Sequence, residues 1–106
     1  MGKLTVGGQE LAYQADNGVF NAVGDGAAVR VVGRANIAIT GVFTGSLRLA
    51  RSFDGGATWA PCTIGGQAVA FTGPATEEIE EIESGVLYRF ECTAITAGAA
   101  NWRISR

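Results

Sequence analysis

The sequence predicts an all-β fold, an antiparallel β-sandwich or barrel-like arrangement of about seven short strands. Three observations carry this. Apolar residues recur every second position in short runs, sixteen glycines are dispersed between those runs at turn-like sites, and no segment holds a helical period over a convincing length. A chain of 106 residues is one domain's worth and buries enough surface for a single core.

Residues 1–26 are Gly-rich, with short apolar pieces (Leu4-Thr5-Val6, Leu11-Ala12-Tyr13, Val19-Phe20) broken by Gly7-Gly8, Asn17-Gly18 and Gly24-Asp25-Gly26. Two readings stay open here, a pair of short strands or an arm that orders against a neighbour. The sandwich domain is expected over residues 27–106. Residues 27–32 and 36–43 read as strands, with Gly41 marking a bulge or a close backbone approach. The short turn Thr44-Gly45-Ser46 predicts that the second of these pairs with residues 47–53, giving a meander of at least three strands.

Residues 46–63, SLRLARSFDGGATWAPCT, carry the most specific local signal. Leu47, Leu49 and Phe53 are expected on one face of a strand, and Ser46, Arg48, Ala50 and Ser52 on the other. The turn is Asp54-Gly55-Gly56: the Asp side chain accepts backbone N–H groups further on, and the glycines take the positive φ of a tight reversal. Thr58 and Trp59 then open the returning strand. Ile64-Gly65-Gly66-Gln67 is a second two-glycine reversal, leading into residues 67–72.

Residues 74–83, PATEEIEEIE, begin like a capped helix, but the segment is short and runs into a Ser84-Gly85 turn, so an extended edge strand or loop is expected. Residues 86–95 form the clearest strand, with Val86, Tyr88, Phe90, Cys92 and Ala94 facing the core. Trp102 and Ile104 share a face of a last strand, which implies that it is held in a sheet.

Composition excludes several function classes. A net charge of −2 with scattered basic residues gives no footprint for nucleic acid. No apolar run is long enough to span a membrane, and residues 1–13 do not read as a signal peptide. There is no His, so no Ser-His-Asp arrangement can be built, and two cysteines, Cys62 and Cys92, are expected to be buried thiols. No Gly pair is followed by Lys-Ser/Thr and a helix, so no phosphate loop exists. The expectation is therefore a non-enzyme with no cofactor, no metal and no small-molecule substrate. Glu77, Glu78, Glu80, Glu81 and Glu83 are read as a solvated or partner-facing acidic edge. Arg48, Arg51, Arg89 and Arg103, in a chain with seven Arg and one Lys, are expected to project outward from strands toward acidic patches on another subunit. Trp59, Trp102, Tyr88, Tyr13 and Phe53 are the candidates for a sugar-stacking platform, the competing reading being core or subunit interface.

Two resemblances add to this. Ser52-Phe53-Asp54-Gly55-Gly56-Ala57-Thr58-Trp59 is similar to the Asp-box pattern S-x-D-x-G-x-T-W, which in sialidase-like propellers is a hairpin signature remote from the active site. Here it occurs once, in a chain too short for a propeller, and signals a hairpin only. The second covers residues 27–106. The run IAITGVFTGSLRLARSFDGGATW, an acidic stretch, then SGVLYRFECTAITAG and NWRISR, resembles small all-β head decoration (cement) proteins of tailed bacteriophages. The resemblance implies a structural virion protein, made in the host cytoplasm and bound to the outer surface of the major capsid shell. It implies a homotrimer, with Arg48, Arg51, Arg89, Arg103, Glu78 and Glu80 as interface candidates. The alternatives are a phage tail or fibre component and a carbohydrate-binding β-module using Trp59 or Trp102.

Overall fold

The computed structural model describes the backbone of residues 3–6 and 9–12 and all of residues 15–106. The Gly7-Gly8 turn and Tyr13 lie outside the described residues. β1 (Lys3–Val6) and β2 (Gln9–Ala12) pair antiparallel with each other, Leu4 opposite Leu11, and among the described residues neither is joined by strand pairing to another sheet.

The rest is a β-sandwich-like pair of antiparallel sheets with no helix among the described residues. The first sheet has four strands in the order β12 (Ala75–Glu81), β6 (Gly33–Thr40), β14 (Ala100–Ser105) and β3 (Ala15–Phe20). The second is built on two long strands, β7 (Phe43–Ser52) and β13 (Leu87–Gly98). Each is flanked by an interrupted lane. On the β7 side lie β8 (Ala60–Pro61) and β11 (Ala70–Phe71), with a two-residue hairpin of β9 (Thr63–Ile64) and β10 (Gln67–Ala68) between them. On the β13 side lie β4 (Gly24–Asp25) and β5 (Val29–Arg30). Residues 15–20 and 24–25 of the Gly-rich stretch thus belong to the two sheets.

The core sits between the sheets. Ile37, Ile39, Trp102 and Ile104 come from the first, and Leu47, Leu49, Tyr88, Phe90 and Cys92 from the second. Phe90 joins them: its ring lies 5.8 Å from that of Trp102 and 6.2 Å, edge to face, from Phe71. The Trp102 indole needs the space left by two glycines, since a Cβ on Gly18 would stand 2.7 Å from its Nε1 and one on Gly26 3.1 Å from the ring.

Several expectations are corrected. β6 and β7 do not pair, so the expected meander of residues 27–53 does not form; the chain changes sheets at residues 41–42. Gly41 makes that crossing with φ +102°, and a Cβ there would meet the Ala99 carbonyl oxygen at 2.7 Å, the close approach the sequence suggested. Phe53 is 57% exposed, while Ala50 and Ser52, expected outside, are buried. The strand ends at Ser52, so period-2 alternation no longer governs residue 53, and the returning loop covers Ser52. Ala94 is exposed and Ile95 packs against the core, because the register shifts between Cys92 and Ala94 and reverses the alternation. The acidic segment is the extended edge strand expected, β12 pairing only with β6.

Candidate functional site

The turn after β7 is held by side chains four residues apart. The buried Ser52 hydroxyl accepts the Gly56 N–H at 2.8 Å and donates to Asp54 Oδ1 at 2.8 Å. Asp54 in turn accepts the Thr58 N–H at 2.9 Å and the Thr58 hydroxyl at 2.5 Å. These bonds, that of the Thr58 hydroxyl first, hold the Asp54 carboxyl at about 2. Gly55 and Gly56 take φ of +74° and +97°. Trp59 does not open a strand: it lies just before β8, donates its Nε1–H to the Gly56 carbonyl at 3.1 Å, and is covered by the Arg89 guanidinium 4.2 Å from its ring centroid.

Three of the four arginines expected to reach a partner reach carboxylates of their own chain. Arg48 Nε donates to Glu91 Oε1 at 2.6 Å and Arg89 Nε to Glu91 Oε2 at 2.9 Å, with Arg89 also 3.5 Å from Asp25. Burial opposes ionisation of Glu91, but the two guanidinium groups outweigh it and lower its pKa. Arg51 Nη1 donates to Glu81 Oε1 at 3.1 Å, and the Arg51 Cζ lies 5.1 Å from the Phe53 ring centroid. Glu81 is the one member of the acidic run that is not solvated. It is 4% exposed and also accepts the Tyr88 hydroxyl at 2.7 Å and the Glu83 N–H at 3.0 Å. Burial works against its charge; the hydrogen bonds from Tyr88, the Glu83 amide and Arg51 win, so its pKa lies below the ordinary value. Burial and the bond to Glu81 push the Tyr88 hydroxyl up to about 12.

Arg103 stands on the outer face of the four-stranded sheet. There it borders a shallow depression of about 400 Å³ with Arg34, Asn36, Glu78, Ser105 and Arg106. Glu80 is exposed on the same edge strand as Glu78. A second hollow, about 430 Å³, opens between the two sheets where β12 faces the β9–β10 hairpin. Ile37, Leu49, Phe71 and Ile79 line its apolar part, and Arg51, Cys62 and Tyr88 are among its polar groups. Cys62 is half-buried rather than buried, and burial raises its thiol to about 11; Cys92 is buried and raised for the same reason.

No family model, curated protein or solved structure matches the chain.

Among the described residues, no group of three or more His, Cys, Asp or Glu side chains is placed to hold a metal ion. Of the two tryptophans read as sugar-stacking candidates, Trp102 is in the core, and Trp59 is half-buried with one ring face occupied by Arg89. The internal pairing of Arg51 with Glu81 and Arg48 with Glu91 was missed from the sequence, because the partners stand 30 and 43 residues apart. The one available signal was alternation: Glu81 shares the parity of Ile79 on β12.

Proposed function

We propose that this chain is a structural virion protein of the head decoration kind, which binds the outer surface of a capsid shell and acts as a homotrimer. The observation that carries the reading is the outer face of the four-stranded sheet. There Arg34, Asn36, Glu78, Glu80, Asn101 and Arg103 stand on a regular antiparallel lattice, with both signs of charge and hydrogen-bonding groups between them. Such a face suits recognition of a large polar protein surface, where complementary charge fixes register. Behind it the core packed between the sheets gives the face a rigid backing. The pattern resemblance over residues 27–106 supports the same reading.

The test combines native mass measurement with co-sedimentation on empty capsids. A stable trimer that sediments with capsids, and loses that ability in Arg103→Glu with the fold retained in far-ultraviolet spectra, is the expected result. A monomer that stays in the supernatant overturns the reading.

A further inference from the structure

We propose that the free edge of β12, together with the hollow between the sheets beside it, is an acceptor site for an extended strand of a partner protein. The strand it fits has apolar residues at alternate positions and Lys or Arg between them. This inference goes beyond capsid binding and does not depend on it.

Three independent observations meet at this edge. β12 runs seven residues, Ala75–Glu81, and among the described residues pairs on one side only, with β6, so a row of backbone donors and acceptors faces outward over roughly 23 Å. Beside that edge the sheets are parted by the hollow of about 430 Å³. Its lining combines half-buried Ile79, Phe71 and Val69 and the 77% exposed Ile64 with the charged Arg51 and Glu77, the latter sharing the parity of Ile79. Finally, Glu77, Glu78 and Glu80 are exposed along the strand, and none of them has an ion pair or hydrogen bond to another described residue.

Period-2 geometry then dictates the occupant. A strand added antiparallel to β12, the direction of every pairing in these sheets, points alternate side chains into the hollow, where apolar groups cover Ile64, Val69, Phe71 and Ile79. The side chains between them emerge beside Glu78 and Glu80 on the outer face, where a cation is attracted and an anion repelled. The same glutamates exclude the commonest wrong occupant. Two β12 edges brought together would oppose carboxylates on both strands, so the acidic edge rejects a second copy while accepting a basic strand.

The probe is a blocked heptapeptide alternating Lys and Val, titrated into the full chain at low ionic strength with calorimetry and amide chemical shifts as readouts. Binding is expected with shifts concentrated on residues 75–81 and on 64, 69 and 71. It weakens about tenfold in the double variant Glu78→Gln, Glu80→Gln, whose thermal stability is unchanged, and falls with added salt. Two N-methylated forms of the peptide, one modified at every Lys and one at every Val, present opposite blocked edges. One should bind and the other should not. Equal binding of both forms, equal binding of a peptide with the same residues in blocks, or shifts that avoid β12 overturns the proposal. So does concentration-dependent pairing of the protein with itself through β12 in the absence of peptide.

Discussion

Glu81 sits in a run of glutamates that composition alone marks as solvated, yet it is the acceptor for Arg51, Tyr88 and the Glu83 amide. Because its folded pKa lies below the unfolded one, its contribution to stability is present above the unfolded value of about 4.3 and is lost as pH falls through the folded one. Glu81→Gln is therefore expected to cost roughly 2 kcal/mol at pH 7, and the gap to the parent should narrow at pH 3. Urea unfolding at both pH values measures it; an equal gap at both would show that the carboxylate charge is not what matters. Asp54 acts in the same direction over a lower window, its turn bonds being lost only as pH falls toward about 2. The thiols supply a second check. With Cys62 raised to about 11, only about one thiol in a thousand is ionised at pH 8. A disulfide reagent should modify Cys62 slowly and Cys92 only on unfolding, and rapid reaction of both in the native protein would contradict their burial. The buried Cys92 was legible from its place on an apolar face. Glu81 was not, since its burial depends on an arginine and a tyrosine brought to it by other strands.

At the scale of elements, the Asp54 turn was written in the sequence almost completely. A short acceptor side chain, two glycines and a Thr four residues on are all local, and local chemistry survives any tertiary arrangement. Asp54→Ala should lower Tm with the fold retained, as read by thermal melts and far-ultraviolet spectra; an unchanged Tm would mean that the glycines and Ser52 suffice. The far end of the β7–β13 ribbon was less legible. Two register shifts, between Cys92 and Ala94 and between Ile95 and Ala97, turn the alternation over, and nothing in a run such as CTAITAG announces where an extra residue is accommodated. Gly98 closes that ribbon with φ +77°, and a Cβ on it would collide with the Val42 carbonyl oxygen. Gly98→Ala is expected to cost roughly 2 kcal/mol or more. Gly73→Ala, where a Cβ meets nothing within 4 Å, should leave the denaturation midpoint nearly unchanged. Equal midpoints for the two variants would remove the argument for strain at Gly98.

For the molecule as a whole, the all-β class followed from short alternating runs and dispersed glycines, but the pairing order did not. Alternation tells which residues face inward; it does not tell which sheet a strand joins, and so β6 and β7 were expected to pair across a turn when they lie in opposite sheets. The decisive contacts are between strands far apart in the chain, above all the Phe90–Trp102 pair that couples the two sheets. Trp102→Ala should cost about 3–5 kcal/mol, measurable as a large fall in the urea midpoint, and a loss below about 1 kcal/mol would place the coupling elsewhere. The position of β14 has a further consequence during synthesis. It lies between β6 and β3, so the two halves of the four-stranded sheet have no common neighbour until residues 100–105 have been made. Ile37 and Ile39 are therefore shielded late. A chain lacking residues 100–105 leaves that side of β6 unpaired, and exposed apolar strands of this kind favour aggregation over folding.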